Sequence, residues 1–135
     1  MLYYAQLFAN YMDAKGIKYT ERDERTLKVS YSGENKETIT IFAFFDKDGD
    51  PVVQFKCWEI CNFKNAIDKG MAACNKLNYE YRWVKFYIDG DGDIIADVDA
   101  MLDDATCGAT CLTQLRRMVS IIDDVYPTFA KARWA

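Results

Sequence analysis

The chain has 135 residues, of which half are apolar and 28% are charged, a composition typical of one ordinary globular domain. It contains no histidine, which excludes Ser-His-Asp and Cys-His catalysis and histidine-ligated zinc. The formal net charge of −4 disfavours nucleic-acid binding, because phosphate backbones are bound by clustered Lys and Arg. We therefore expect a single domain over residues 1–135, with no catalytic residues, no cofactor and no nucleic-acid partner.

The predicted elements begin with a helix over residues 2–15. Apolar residues recur there at helical spacing, and Gly16 follows as a stop signal. Residues 17–21 fit a short edge strand, and residues 27–31 alternate apolar and polar side chains as a half-buried strand does. This part of the chain therefore predicts one helix followed by one or two strands.

The middle of the chain predicts two more strands and a second helix. Residues 38–45 and 52–58 are rich in β-formers, and the hairpin signal Asp48-Gly49 separates them. Residues 62–78 return to helical spacing, with Asn62 as a plausible N-cap. The first half of the sheet is therefore expected to hold three or four strands before the chain becomes helical again.

The last part of the chain predicts a hairpin and a long helix. Residues 81–89 and 93–101 pair across a Gly-Asp-Gly turn. The helix begins near Asp104 or Thr106, and Pro127 is expected to kink or end it. The order α-β-β-β(-β)-α-β-β-α predicts an α+β fold, with three helices packed on an antiparallel sheet of five to six strands.

Two stretches of the sequence resemble a known family. They are Asn75-Lys76-Leu77-Asn78, which is followed by residues 81–89, and the stretch Asp123-Asp124-Val125-Tyr126-Pro127. Both are similar to the YbjN-like family, described as "putative bacterial sensory transduction regulators". The resemblance implies a fold like that of type III secretion chaperones and a role in bacterial sensory or regulatory signalling. It carries over no catalytic residues.

Two acidic turns resemble the start of a calcium-binding loop, Asp46-Lys47-Asp48-Gly49-Asp50 and Asp89-Gly90-Asp91-Gly92-Asp93. An EF-hand loop needs Gly at its sixth position and Glu at its twelfth. The first stretch has Pro51 and Cys57 at these positions, and the second has Ile94 and Ala100. We interpret both as hairpin turns, in which Asp and Gly accept unusual backbone angles, and expect no metal. A weak divalent-cation site remains the alternative.

The cysteines are Cys57, Cys61, Cys74, Cys107 and Cys111. An odd number without an export signal favours free thiols in the reducing cytoplasm, and no stretch approaches the ~20 apolar residues that cross a membrane. The Cys-x3-Cys spacing of two pairs is also compatible with a four-thiolate zinc site. Cys74 and Cys111 fall on apolar helical stripes, which is typical of buried structural cysteines. We expect a cytoplasmic protein with reduced, metal-free thiols and no membrane partner.

The second face of the predicted sheet is the most informative surface. Strand alternation places Val84, Phe86 and Ile88 on the core face, and Trp83 and Tyr87 on the opposite one. If the three helices cover a single face, the other carries five candidate interaction residues among polar neighbours: Phe42, Phe44, Trp58, Trp83 and Tyr87. The alternative is that the N-terminal helix or the chain end covers some of them.

Aromatic residues with a polar rim are the composition of an interface core. We therefore predict a non-enzymatic, chaperone-like or regulatory adaptor that binds a protein partner through this face and forms a homodimer. The alternative is a small-ligand or metal-binding regulator that uses the Asp-rich hairpin or the cysteine pairs.

Overall fold

The computed structural model describes all 135 residues and confirms the predicted α+β fold. Three helices and six strands follow in the expected order: α1 (Tyr3–Ala14), β1 (Thr20–Asp23), β2 (Thr26–Tyr31), β3 (Ile39–Phe45), β4 (Val52–Cys57), α2 (Ile67–Glu80), β5 (Lys85–Ile88), β6 (Ile94–Met101) and α3 (Cys107–Trp134). The strands form one antiparallel sheet in the order β1-β2-β3-β4-β6-β5. The optional edge strand is therefore present as β1, three residues later than expected.

One face of the sheet packs against the helices and forms the core. In β3 every second residue is buried and the residues between are only partly buried, as a half-covered strand requires. Phe8 of α1 packs against Phe45 and Phe55, with ring centroids 6.3 and 6.5 Å away. Val84 and Phe86 are buried on this side, which confirms the face that alternation assigns to them.

The start of α2 differs from the prediction. The helix begins at Ile67, so Asn62 is not its N-cap. Instead, the Asn62 Nδ2 donates to the Asp93 Oδ1 at 2.8 Å, and the Asn62 Oδ1 accepts from the Lys64 backbone N–H at 2.9 Å. Asn62 thus joins the segment before α2 to the turn between β5 and β6. Because its side chain makes this tertiary contact, it does not cap the helix, and α2 begins only at Ile67.

The helix α3 does not end at Pro127, although an end there is one of the two outcomes that the sequence predicts for this proline. A proline removes the N–H that would bond to the carbonyl four residues earlier, here that of Asp123. The Asn35 Nδ2 donates to this carbonyl at 3.1 Å. A donor from another segment therefore replaces the lost bond, and α3 continues to Trp134.

The buried stripe of α3 includes Met118 and not its neighbour Val119. Met118 is fully buried, whereas its neighbour Val119 is only partly buried. The buried residues Leu115, Met118 and Ile122 follow the three-and-four spacing of a helix face. Val119 therefore lies at the margin of the core.

Candidate interaction face

Three aromatic side chains form a cluster on the sheet face opposite the helices. The rings of Phe42 and Phe44 on β3 are stacked, with centroids 6.1 Å apart and planes inclined by 14°. Trp58 meets both rings edge-on, at 5.4 Å from Phe42 and 5.7 Å from Phe44. Such geometry is the favoured one for aromatic groups, and here it builds a continuous apolar surface that no helix covers.

Local backbone geometry places Trp58 on this surface. β4 ends at Cys57, and Glu59 has a positive φ of 56°, so the chain turns away immediately after Trp58. The indole remains 38% exposed beside the two Phe rings. The backbone therefore leaves the sheet after Cys57, while the Trp58 indole stays on the sheet face.

Cations lie beside these rings and extend the cluster across the sheet. The Lys56 Nζ lies 5.1 Å from the centre of the Trp58 ring and 5.8 Å from that of Tyr87 on β5. The Arg22 guanidinium lies 5.9 Å from the Phe42 ring. Tyr87 is 38% exposed, like Trp58. We call Phe42, Phe44, Trp58 and Tyr87 the aromatic face.

Charge is distributed unevenly around the aromatic face. Arg22 on β1 and Lys28 on β2, which lies opposite Phe42, make the β1–β2 side basic. Asp97 and Asp99 on β6 place two carboxylates on the other side of this same face, where Lys56 of β4 and Lys85 of β5 lie opposite Asp97. The surface thus has an apolar centre, a basic margin and a margin that carries the carboxylates of Asp97 and Asp99.

Trp83 does not belong to the aromatic face, contrary to the prediction. β5 begins only at Lys85, and Trp83 has a φ of +72°, which interrupts the alternation that the sequence predicts. The Trp83 ring is 52% exposed and lies 4.4 Å from the guanidinium of Arg117 on α3. The structure therefore brings together four of the five predicted residues and places Trp83 against α3.

The residues that carry the family resemblance hold the fold together. The Asn78 side chain binds both backbone groups of Phe86, donating to its carbonyl at 2.9 Å and accepting from its N–H at 2.8 Å. The Lys85 Nζ donates to the carbonyls of Asn78 and Tyr81 at 3.2 and 3.1 Å. These contacts join the end of α2 to β5 and turn the Lys85 charge away from the aromatic face.

The second motif fastens α3 to the loop between β2 and β3. The Asp123 carboxylate accepts backbone N–H groups of Glu34, Asn35 and Lys36 at 3.0, 2.9 and 2.9 Å. These donors, that of Lys36 foremost, lower the pKa of Asp123.

The neighbouring carboxylate of Asp124 accepts from the Tyr81 hydroxyl. This hydrogen bond, more than burial, raises the pKa of Tyr81 to about 12. Both carboxylates of the motif therefore bind other segments of this chain.

Both acidic turns are hairpin turns, as predicted. In each, the first Asp accepts the backbone N–H groups of the residues two and four positions later, at 3.0 and 3.1 Å for Asp46 and at 2.9 and 3.0 Å for Asp89. Gly49 and Gly92 adopt a φ of +85°, which other residues rarely accept. The carboxylates of Asp46 and Asp89 thus stabilise the turns that they begin.

The five cysteines are free thiols, of which Cys61 is partly exposed and the other four are buried. Burial raises the pKa of Cys57 and Cys74 to about 11. Cys107 and Cys111 lie one turn apart on α3, where their mutual hydrogen bond raises the pKa of Cys111. No three or more Cys, Asp or Glu side chains come together as a possible metal site.

The fold and the face define a class of α+β protein in which three helices cover one side of an antiparallel sheet and aromatic residues occupy the other. Residues 5–131 match the model of the YbjN family, described as "Putative bacterial sensory transduction regulator". The chain belongs to this family.

The fold is similar to a crystal structure of YbjN from E. coli, described as "a putative transcription regulator", with a TM-score of 0.67 and 12% sequence identity. The match covers 93% of this chain and 92% of the E. coli chain. The comparison with curated proteins gives no match. Of the helices, none has the length and apolar character needed to cross a bilayer.

Proposed function

We propose that this protein is a non-enzymatic regulatory adaptor that binds protein through its aromatic face, and that two copies associate there as a homodimer. The observation that carries the proposal is the Phe42–Phe44–Trp58 cluster on a sheet face without helices. Trp and Tyr dominate binding energy at protein interfaces once a second surface covers them. The Arg22 guanidinium beside the Phe42 ring matches the enrichment of Arg at protein interfaces.

The charge distribution favours a second copy of the chain as the occupant. A two-fold axis parallel to the strands and passing over the cluster places the β1–β2 margin of one protomer above the β6 margin of the other. Arg22 and Lys28 then face Asp97 and Asp99 twice in the dimer. A two-fold axis perpendicular to the strands would instead place the β1–β2 margins of the two copies against each other, so that like charges meet. The charges therefore favour the axis parallel to the strands.

The family's description as regulators supports a signalling role rather than catalysis. The net charge of −4 favours action through another protein over direct contact with nucleic acid. Five free thiols suit the reducing cytoplasm, which we propose as the location.

The test is Trp58→Ala, with Tyr79→Ala as the matched control. Tyr79 lies on α2 and is 92% exposed, so its removal deletes another large aromatic group on a different element. We expect the wild type and Tyr79→Ala to sediment as dimers at micromolar concentration. Trp58→Ala should sediment as a monomer with an unchanged circular-dichroism spectrum, because losing a central interface Trp costs about 2 kcal/mol or more.

Two outcomes would contradict the proposal. The first is a wild-type protein that remains monomeric at about 100 µM, which corresponds to weaker binding than a specific dimer needs. The second is a Trp58→Ala variant that dimerises as tightly as the wild type. The opposite-charge variant Arg22→Glu adds a test of geometry, since it should weaken the dimer and Asp97→Lys should restore part of the loss.

A further inference from the structure

A second surface lies where β5 ends and β6 continues. The pairing of these strands runs from Ile88↔Ile94 to Lys85↔Asp97. β6 extends four residues further, to Met101, and these residues pair only with β4. One side of residues 98–101 therefore has no neighbouring strand.

The backbone groups of Asp99 and Met101 point into this gap. Alternate residues of an antiparallel strand bond to opposite neighbours. Leu102 donates to the Pro51 carbonyl beside β4 at 2.8 Å, so the two residues at odd positions, Asp99 and Met101, face the other way. The Gln114 Nε2 binds the Asp99 carbonyl at 3.3 Å. The two N–H groups and the Met101 carbonyl remain without a strand partner.

The helix α3 forms the opposite wall of a groove along this edge. The groove encloses about 580 Å³, within the range typical of ligand clefts. Small side chains line it on the helix side, among them Ala109, Thr110 and Thr113. An extended chain lying along Asp99 and Met101 would therefore find room for side chains between the sheet and α3.

Trp83 keeps this gap open. It directly precedes Val84 and has a φ of +72°, a conformation that bulky residues avoid. Strained backbone of this kind is concentrated at binding sites. The conformation ends the strand before residues 81–83 can pair with β6, and it brings the indole to 4.4 Å from Arg117 at the end of the groove.

Arg117 supplies a charge at that end. Its Nη1 donates to the Gln114 Oε1 at 2.9 Å, and its guanidinium lies over the Trp83 ring. Neither contact neutralises the charge, so an acidic group of an incoming ligand could bind it in a charge-assisted manner.

We propose that this groove binds an extended peptide segment of a partner protein, which pairs with β6 as an antiparallel strand in line with β5. A segment antiparallel to β6 runs from Met101 towards Asp99, so its last residue lies beside Arg117. The occupant is therefore an extended segment with β-forming side chains and an acidic residue at its carboxyl end. Strand addition of this kind takes its affinity from main-chain hydrogen bonds and its specificity from side-chain pockets. The site uses none of the four residues of the aromatic face; Asp99 contributes its backbone to this groove and its side chain to the margin of that face.

The probe is the fluorescently labelled peptide Thr-Val-Thr-Val-Asp, compared with Thr-Val-Thr-Val-Lys. We expect the Asp peptide to bind the full chain, and the backbone amides of Asp99 and Met101 to shift in nitrogen–proton NMR spectra. The Lys peptide should bind about tenfold more weakly, because it places a cation beside Arg117. Arg117→Glu should reverse this preference.

A matched pair of variants tests the backbone pairing. The Met101 side chain is 87% exposed, so Met101→Ala leaves the core and the N–H intact. Met101→Pro removes the N–H that faces the gap, at a position where an edge strand tolerates proline. We expect Met101→Ala to bind the Asp peptide as the wild type does, and Met101→Pro to bind about tenfold more weakly with an unchanged circular-dichroism spectrum.

Four results would overturn the proposal. They are the lack of binding of the Asp peptide at about 1 mM, equal binding by the two Met101 variants, amide shifts confined to the aromatic face, and, in the Trp58→Ala variant that does not form the proposed dimer, shifts of Asp99 and Met101 that depend on protein concentration without peptide. The last result would place a second copy of the chain in the groove. Trp58→Ala should leave peptide binding unchanged, which separates this site from the proposed dimer.

Discussion

Gly108→Ala tests the packing of α3 against α1. Gly108 lies in the first turn of α3, and a Cβ added there would lie 2.5 Å from both Cβ and Cδ1 of Tyr11. Ordinary van der Waals contact begins at 3.4 Å, so the two helices must separate by about 1 Å. The obstructing atoms lie at the base of the Tyr11 side chain, which a change of rotamer cannot fully remove.

Two effects of opposite sign decide the result. Alanine is favoured over glycine in a helix by about 1 kcal/mol, and overpacking of a filled interior costs about 1–3 kcal/mol or more. Phe8 and Met12 of α1 are fully buried and would move with Tyr11. The cost of overpacking therefore lies at the upper end of this range. We expect a net loss of about 2 kcal/mol in the free energy of unfolding and a melting temperature lower by roughly 5–10 °C.

Urea and thermal denaturation followed by circular dichroism measure this change. A double-mutant cycle with Tyr11→Gly, which removes the obstructing atoms, provides the control. The double variant should be less destabilised than the sum of the single variants. A Gly108→Ala protein more stable than the wild type, as helix propensity alone predicts, would refute the reasoning, and so would strict additivity.

The remaining predictions concern one carboxylate and the thiols. Backbone donors hold the pKa of Asp123 below its ordinary value of 3.8, so the stability it contributes is fully present above about pH 5 and is lost as pH falls through the lowered pKa. Urea denaturation should therefore show a deficit for Asp123→Ala that shrinks between pH 5 and pH 3, and an equal deficit at both would contradict this. Burial raises the pKa of Cys61 as well as those of Cys57 and Cys74, the last two to about 11, but Cys61 is the one cysteine that is partly exposed. A disulfide reagent near pH 8 should modify Cys61 first and five thiols after denaturation, and a faster Cys57 or fewer than five thiols would argue against it.

Local patterns in the sequence predict the strands and turns, because the conformation of each depends on residues close by in the chain. The Asp-Gly turns and the alternation of β2 and β3 are set within a few positions, and the structure follows them. Pro127 is the contrasting case. The rule that proline ends a helix fails because Asn35, 88 residues earlier than Asp123, provides the missing donor. No local pattern contains that contact.

The aromatic face was predictable only as far as strand alternation holds. Phe42 and Phe44 lie inside β3, where the period of two places both on one face. Trp83 lies outside β5, and its left-handed backbone has no signal in the sequence. Arg22 lies beyond residues 17–21 of the predicted edge strand, so sequence reasoning missed the cation beside Phe42. A β1 shifted by three residues would have included it.

The contact between Asn78 and Phe86 bears on the order in which the sheet forms. It joins residues eight positions apart, so closing this loop costs little chain entropy. The pairing of Lys56 with Asp97 in the centre of the sheet instead closes a loop that contains all of α2. Folding rates fall as such separations grow. We therefore expect α2 and β5 to form an early unit, onto which β6 adds before the sheet closes against β4.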